Sequence, residues 1–226
     1  MQAHSLAAAS SAAARAFAPP FNADAEDDGF PRIGAAKTFG RDQAIYTDGD
    51  AADCVYKVVS GGVRAVRLLA DGRRQIADFY LPGDVFGVEL GERRRGAAEA
   101  LGETVLLVAR RTSLAGRPDQ GGGLWRLALR DLQRSQEHVL TLGRRSASER
   151  LASFLIDLAE RLDAPSLRLG EFALPMSRQD IADYLGLTIE TVSRTLTQLQ
   201  ADGLVRLNGV RRVRLPRPAA LAELCE

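Results

Sequence analysis

The segment Met176–Leu196, MSRQDIADYLGLTIETVSRTL, constrains the fold of this chain more than any other stretch. Ser177 and Asp180 have the spacing of a helix-capping box, and apolar residues recur at helical spacing after them. Gly186 suits the left-handed backbone that ends a helix, and Thr188 suits the cap of the next helix. The segment therefore predicts a helix, a tight turn and a second helix, the arrangement that places a recognition helix in the major groove of DNA.

The second predicted helix carries side chains that suit base reading near its N-terminus. Glu190 and Arg194 are four residues apart and share one face. Arginine donates to guanine through two bonds, and glutamate accepts from the amino group of cytosine. Ser193 adds a short hydroxyl, and Ile189 offers an apolar contact to a thymine methyl group. A lone pair of this kind is usually a solvated surface ion pair, but within a helix-turn-helix we interpret it as part of a base-reading face.

A basic hairpin follows the two helices. Apolar and arginine residues flank Asn208-Gly209, a dipeptide typical of a two-residue hairpin turn. From Ser177 to Arg217 there are seven arginines and four acids, whereas the whole chain has a net charge of +1. We therefore interpret Leu204–Leu215 as a wing whose cations lie along DNA phosphates.

Length and composition indicate a two-domain protein without a membrane span. The 226 residues are enough for two small domains, and no apolar stretch approaches the ~20 residues that cross a bilayer. Residues 1–30 are rich in Ala and Ser and then acidic, and we interpret them as a disordered tail, because a secretory signal has early positive charge. Cys54 and Cys225 make no disulfide framework, which favours a cytoplasmic location.

Residues 31–118 consist of short β-rich runs separated by turn signals. The signals recur about every 11 residues, a spacing typical of a barrel or sandwich of short strands. Candidate strands are Val55–Val59, Val63–Leu69, Arg74–Tyr80 and Thr104–Ala109.

A long helical pattern occupies residues 119–145. Its apolar and small residues alternate by three and four, as in a coiled-coil seam, and the predicted seam comprises Trp125, Ala128, Leu132, Ser135, Val139 and Leu142. Packing of this helix on its own domain is the alternative. We favour pairing with a second copy, because two-fold symmetry doubles the DNA site that is read. A further helix is predicted at Ala147–Leu162.

A β-roll, a long dimer helix and a C-terminal winged helix together resemble the Crp/Fnr superfamily of bacterial transcription regulators, roughly over residues 33–221. The recognition-helix motif ETVSR and the runs PGDVFGVELGE and AEALGETVLLVARR are similar to the FixK branch. The resemblance implies an α+β protein with an N-terminal β-roll like the cyclic-nucleotide-binding jelly roll, a dimerisation helix and a winged helix-turn-helix. The corresponding domains are 31–118, 119–145 and 146–226.

The same resemblance implies roles for single residues and for partners. Base reading falls to Glu190, Ser193 and Arg194, and phosphate contacts fall to Arg178, Thr188, Thr191, Asn208, Gly209 and Arg211. The expected site resembles the palindrome TTGA-N6-TCAA. Expected partners are double-stranded DNA, RNA polymerase and a second copy of the chain, and no membrane. The physiological role implied is activation of microaerobic, respiratory or nitrogen-fixation genes.

Ligand-binding positions of the superfamily are altered in this chain. Oxygen-sensing relatives hold an iron–sulfur cluster on four cysteines, and this chain has two. In nucleotide-binding relatives a Gly-Glu pair precedes an Arg-Ser pair, but here Val88 separates Gly87 from Glu89, and the run Arg93–Arg95 ends in Gly96. We expect Arg93–Arg95 to form an exposed loop, with Arg95 as a candidate phosphate ligand if a nucleotide binds. The favoured interpretation has no cofactor and no metal, and a regulator with a nucleotide or another small molecule in the β-roll is the alternative.

The cysteine and histidine side chains do not form a pattern typical of an enzyme active site. Cys54 is expected to be a small half-buried residue, Cys225 to be exposed, and His138 to have a surface or interface role instead of binding haem. Enzymes of the cupin type need clustered histidine and carboxylate ligands. No histidine lies between residues 5 and 137, so an enzymatic β-roll is not predicted.

Overall fold

The computed structural model describes residues 34–115, 121–162 and 171–225. The predicted tail, residues 1–30, lies outside them. The chain divides into two units, which comprise the described residues of Met1–Ala65 with Phe79–Leu129 and of Val66–Asp78 with Arg130–Glu226.

The N-terminal half is a β-roll of two four-stranded sheets. Its strands are β1 (Ala35–Phe39), β2 (Ala44–Tyr46), β3 (Cys54–Ser60), β4 (Val63–Leu68), β5 (Arg74–Tyr80), β6 (Val85–Phe86), β7 (Ala97–Ala100) and β8 (Thr104–Arg110). The sheet orders are β1-β8-β3-β6 and β2-β7-β4-β5. The pairs β1–β8, β3–β8 and β3–β6 are antiparallel. All four predicted strands are present, and the predicted β-roll is confirmed.

The interior of the roll is apolar and aromatic. In β8, Thr104 and Leu106 are buried while Val105 and Leu107 are partly exposed, as expected for the two faces of a strand. The core cluster around them contains Phe39, Tyr56, Val58, Val63, Phe86, Ala98, Ala100 and Leu106. Small alanines on β7 lie in this cluster together with the rings of Phe39, Tyr56 and Phe86.

Three helices follow the roll: α1 (Arg111–Ala115), α2 (Gly121–Arg144) and α3 (Ala147–Arg161). Helix α3 starts at a capping box, in which Ser146 Oγ accepts from Glu149 N and the Glu149 carboxylate accepts from Ser146 N. Its buried side includes Leu151, Leu155 and Leu158. The long helix and the one after it are therefore where the sequence predicted them.

The C-terminal part is a winged helix-turn-helix. Its elements are β9 (Glu171–Ala173), α4 (Arg178–Leu185), α5 (Ile189–Ala201), β10 (Arg206–Asn208), β11 (Arg212–Arg214) and α6 (Pro218–Glu223). The wing sheet has the order β10-β11-β9, and its third strand, β9, was not predicted. Within the parts of the chain that the structure describes, no helix is both long and apolar enough to cross a membrane.

The turn of the wing differs from the prediction. Asn208 pairs with Arg212 across the hairpin, so three residues, and not the dipeptide Asn208-Gly209, connect the two strands. Gly209, the first of the three, has a positive φ of 71°, a left-handed conformation that glycine adopts at little steric cost. The extra residue places Arg211 in the turn itself.

Candidate nucleic-acid interface

The predicted caps fix the ends of both DNA-reading helices. Ser177 N donates to Asp180 Oδ2 at 2.9 Å, and Asp180 N donates to Ser177 Oγ at 3.0 Å. Gly186 ends α4 with φ 62° and ψ 38°, a conformation that residues with a Cβ adopt at a cost. Thr188 Oγ1 accepts from Thr191 N at 3.2 Å and starts α5. The N-terminus of the recognition helix α5 is therefore held by bonds on both sides of the turn.

Helix α5 has one buried and one exposed side. Val192, Leu196 and Leu199 are buried, and each contributes about 1.5–3 kcal/mol through removal from water. Glu190 and Arg194 lie on the solvent side. The core thus sets which face of α5 is offered to a partner.

The exposed face offers one anion and one cation. The main-chain N–H of Glu190 and the Thr188 hydroxyl hold the pKa of the Glu190 carboxyl below its usual value of 4.5. Glu190 is therefore an acceptor at neutral pH. Arg194 is exposed and makes no hydrogen bond or ion pair with any residue that the structure describes, so all its donors are available. Ile189, at the start of the helix, exposes part of its apolar surface.

Arg178 and Ser193 are brought together, although they were predicted for different tasks. Arg178 Nη1 donates to Ser193 Oγ at 3.4 Å, across the two helices. Both side chains are half-buried. A predicted phosphate ligand therefore orients a predicted base-reading hydroxyl, a link that sequence spacing did not indicate.

Two threonine hydroxyls lie at the N-terminus of α5. Thr188 Oγ1 and Thr191 Oγ1 are 3.1 Å apart, and Thr188 is exposed while Thr191 is half-buried. The helix N-terminus carries partial positive charge, which favours an anion such as phosphate. The two hydroxyls are placed where such an anion would find additional donors.

Glu171, which was not predicted from the sequence to have a role, bonds to two side chains of the wing. Glu171, on β9, accepts from Asn208 Nδ2 at 2.8 Å and from Arg212 Nη1 at 3.4 Å. Arg211 Nη1 donates to the Pro175 carbonyl at 3.4 Å. Asn208, Gly209 and Arg211 are all exposed at the tip. The wing tip is thus accessible, and its base is tied to the strand that precedes the helix-turn-helix.

A second unpredicted contact holds the start of α4. Arg74, in the segment 66–78 of the same unit, donates from Nη2 to Asp180 Oδ1 at 2.8 Å and lies 2.6 Å from Asp183 Oδ2. Asp180 also accepts from the Ser177 hydroxyl at 2.6 Å. The capping acid of the helix-turn-helix is therefore buried and accepts hydrogen bonds both from its own capping serine and from Arg74.

His138 packs on the helix-turn-helix and is not an exposed surface residue. Its ring stacks on Tyr184 with centroids 4.1 Å apart and an interplanar angle of 17°. Burial lowers the pKa of His138 below its ordinary value of 6.5, against a smaller opposite effect of a main-chain hydrogen bond at Tyr184. The histidine thus has a packing role within the second unit.

The cysteines are both half-buried. Burial is the largest cause of a raised pKa at the Cys54 thiol, so the thiolate that reacts in redox chemistry is disfavoured. The expectation of an exposed Cys225 is wrong, because its Sγ lies 3.6 Å from the Leu221 carbonyl. Among the described residues no group of three or more His, Cys, Asp or Glu side chains is placed to hold a metal ion.

The predicted seam on α2 is largely uncovered in the single chain. Leu132 is 53% exposed and Val139 is 67% exposed. Ser135 is exposed, and Ala128 and Leu142 are half-buried. Trp125 lies in α2, but its side chain is outside the described residues. Large apolar side chains, which are normally packed against other residues, therefore face solvent along this side of α2.

Known proteins resemble both parts of the chain. Residues 36–116 match the family model of the cyclic nucleotide-binding domain, and residues 149–224 match that of the Crp-like helix-turn-helix domain. The nitrogen fixation regulation protein FixK of Azorhizobium caulinodans is 50% identical over 197 residues, which cover 85% of this chain and 79% of the relative. FixK of Rhizobium meliloti is 46% identical over 86% of this chain and 88% of the relative. The solved structure of FixK2 from Bradyrhizobium japonicum has a TM-score of 0.81 at 43% identity and covers 86% of this chain and 98% of that one.

Proposed function

Because this chain belongs to the Crp/Fnr family and is a FixK-like transcription regulator, not an enzyme, we propose that it binds a palindrome resembling TTGA-N6-TCAA as a homodimer without a small-molecule cofactor. The observation that carries the proposal is the capped N-terminus of α5, which presents Glu190 and Arg194 to solvent. The proposed domains are a sensor-like β-roll at 31–118, a dimerisation helix at 119–145 and a DNA-binding domain at 146–226.

The base-reading set follows from the chemistry of this face. Arg194 would donate to O6 and N7 of guanine, and Glu190 would accept from the amino group of cytosine in the same or a neighbouring pair. Ser193 would meet a thymine edge, and Ile189 would contact a thymine methyl group. Together these contacts suit the G·C pair and the adjacent A·T pairs of a TTGA half-site.

The phosphate-contacting set surrounds this face. Side chains and main-chain groups at helix starts and on wings commonly fix the register of a protein on DNA without reading sequence. The proposed contacts are Arg178, Thr188, Thr191, Asn208, Gly209 and Arg211. The helix N-terminus at Thr188 and the exposed wing tip support this assignment, because both offer donors to an anion.

The homodimer is supported by the uncovered apolar side of α2. Leu132 and Val139 are exposed at seam positions, and pairing with a second copy would remove them from water. Two recognition helices related by two-fold symmetry would then read half-sites whose centres are about one helical turn apart, roughly 34–36 Å.

The proposed role is activation, with RNA polymerase as the further partner. The relative AadR of Rhodopseudomonas palustris, 39% identical over 204 residues, is named a transcriptional activatory protein, and two relatives are named nitrogen fixation regulation proteins. We infer that the chain acts in the cytoplasm on nitrogen-fixation or microaerobic respiratory genes. Transcription in vitro from a promoter with the palindrome should rise when the protein is added to RNA polymerase, and repression would reverse the assignment.

The experiment that tests the proposal is selection of bound sequences from a random DNA pool. The purified protein is incubated in air, without metal or nucleotide, and the bound fragments are sequenced. We expect enrichment of two inverted TTGA-like half-sites. If no sequence is enriched until a cyclic nucleotide is added, the ligand-responsive alternative replaces the proposal.

A further inference from the structure

Arg94 is a buried arginine in the β-roll, where the sequence predicted an exposed loop. Its side chain and main chain together are 2% exposed, while its neighbours Arg93 and Arg95 are exposed. The main chain is anchored in both directions, since Arg94 N donates to the Asp50 carbonyl at 2.9 Å and Gly49 N donates to the Arg94 carbonyl at 3.0 Å. This anchoring directs the middle arginine of the run inward.

The guanidinium of Arg94 is held by carbonyl oxygens and aromatic faces. Nη1 donates to the Gly87 carbonyl at 2.6 Å, and Nη2 donates to the Cys54 carbonyl. The guanidinium carbon lies 4.2 Å from the ring centroid of Tyr46 and 5.6 Å from that of Tyr56. A cation over an aromatic face is attracted by the ring quadrupole, most strongly where water is excluded.

The rings below Arg94 form a continuous cluster. Tyr56 stacks on Phe86 with centroids 5.2 Å apart, and Tyr80 stacks on Phe86 at 4.8 Å. Tyr46 lies 5.7 Å from Tyr56. Arg94 thus covers an aromatic core, and its charge is balanced by dipoles and ring faces.

Gly87 shows how closely the guanidinium is enclosed. A Cβ built at Gly87 would lie 3.1 Å from Arg94 Nη1 and 3.0 Å from Tyr56 Cδ2, at a φ of +84°. The main chain therefore approaches the guanidinium so closely that a Cβ here would push the Tyr56 ring or the guanidinium aside by a few tenths of an ångström. The site matches the shape of this one group.

A cyclic nucleotide, the ligand that the domain family implies, does not fit these residues. Its phosphate needs accessible donors, but Arg94 is 2% exposed and donates from Nη1 and Nη2 to main-chain carbonyl oxygens, while its Nε is buried and has no hydrogen-bond partner among the described residues. Its ribose hydroxyls need an acceptor, but Glu89 accepts from the main-chain N–H of Arg95 at 3.4 Å. Arg94 and Glu89 thus have partners within the chain, whereas Arg95, the candidate phosphate ligand predicted from the sequence, exposes its side chain to solvent.

We propose that Arg94 is a built-in occupant of the β-roll, and that its guanidinium fills a binding site specific for a guanidinium group. Removing the side chain would then leave a site for a small alkylguanidinium ion. The inference deepens the proposed cofactor-free function, but it concerns occupancy of the roll and needs no DNA to test.

The test is rescue of Arg94→Ala by ethylguanidinium, which replaces the atoms that the substitution removes beyond Cβ. Arg94→Ala should melt several degrees below wild type, and ethylguanidinium at tens of millimolar should raise its Tm by at least a few degrees. Ethylammonium, a cation without the planar set of N–H donors, should not raise this Tm. Ethylurea, which is planar but uncharged, should not raise it either. Leu106→Ala, which opens an apolar cavity in the same roll, should gain nothing from ethylguanidinium.

Several results would overturn the inference. These are an Arg94→Ala protein as stable as wild type, equal effects of ethylguanidinium on Arg94→Ala and Leu106→Ala, or a clear rise in the Tm of wild type with a cyclic nucleotide. If Arg94→Ala does not fold, Arg94→Lys decides, because one ammonium cannot reproduce the fork. Its Tm should fall by several degrees, and an unchanged Tm contradicts the inference. Absence of DNA binding without ligand would refute the proposed function and leave the rescue result standing.

Discussion

Arg74 and Asp180 form a partly buried ion pair, in which Nη2 lies 2.8 Å from Oδ1 and the Asp180 side chain is 5% exposed. Asp180 is also the capping-box acid of α4, bonded to the main chain and hydroxyl of Ser177. The first turn of the helix-turn-helix therefore depends on a residue far away in sequence. A buried acceptor that loses a hydrogen-bond partner stays removed from water without compensation, which destabilises the folded state.

Arg74→Ala should accordingly destabilise the protein by about 1–3 kcal/mol, because Asp180 keeps its Ser177 donors but loses the charged donor Arg74. The matched control is Arg73→Ala, since Arg73 is 78% exposed and pairs with an exposed Asp71. An exposed pair of that kind contributes about 0–1 kcal/mol. Urea unfolding of both variants measures the difference. Equal midpoints for the two variants would show that the buried pair does not stabilise α4.

His138 should make stability depend on pH below about 6.5. Burial lowers its folded pKa from that value, so the unfolded chain binds more protons in this window and stability falls as the pH falls through the folded pKa. His138→Phe keeps a ring on Tyr184 without a titrating group. Thermal unfolding should show that the Tm of the wild type falls more steeply than that of His138→Phe as the pH is lowered below 6.5. Parallel curves would mean that His138 titrates as it does in the unfolded chain.

Arg194→Ala should lower affinity for the selected site by about 1–3 kcal/mol and flatten discrimination at one G·C pair. The reason is that its exposed guanidinium has all its donors available for guanine. Binding to the selected site and to single-base variants measures both effects. If full preference for the guanine persists, α5 is not the reading element.

Arg211→Ala should weaken binding to all sequences alike. Arg211 lies at the exposed tip of the wing, and loss of one phosphate contact lowers the salt slope by about one. Titrations at several salt concentrations, with the same single-base variants, give the slope and the sequence preference. A loss of guanine preference in Arg211→Ala would assign sequence reading to the wing.

Leu132→Glu should convert the proposed dimer to a monomer and abolish operator binding. In a paired seam the substitution would bury two carboxylates against apolar side chains, at a cost of several kcal/mol. Gln133→Glu adds the same charge at the neighbouring exposed position of α2 and should leave the dimer intact. Sedimentation distinguishes the two. A tight dimer of Leu132→Glu would remove this seam from the proposed interface.

Features that depend on local sequence, such as the helix-turn-helix, were predictable, whereas features that depend on contacts between distant residues were not. The caps at Ser177, Gly186 and Thr188 are determined by residues within three or four positions, so the sequence predicts them correctly. Burial of Arg94 depends on carbonyl groups brought together by the fold, one of them 40 residues away. No periodicity distinguishes that arginine from its two exposed neighbours.

The wing shows the same division. Its two strands follow from alternation around a turn signal, and both are present. The third strand pairs with residues 39 to 43 positions later, and its acid, Glu171, bonds to side chains 37 and 41 positions later. A three-residue run is too short for a pattern to predict. The turn comprises residues 209–211 and not the predicted Asn208-Gly209, because Asn208 pairs with Arg212 in the strand ladder.

The two sets of bonds on Asp180 also form at different times during synthesis. Ser177 is three residues away, so the capping box can close as soon as one helical turn exists. Arg74 is 106 residues away, and at about 5–20 residues per second it leaves the ribosome roughly 5–20 s before Asp180 does. The nascent chain therefore completes the strand that carries Arg74 long before its carboxylate partner has been made. The first turn of the DNA-reading unit gains its last bond only after nearly the whole chain is synthesised.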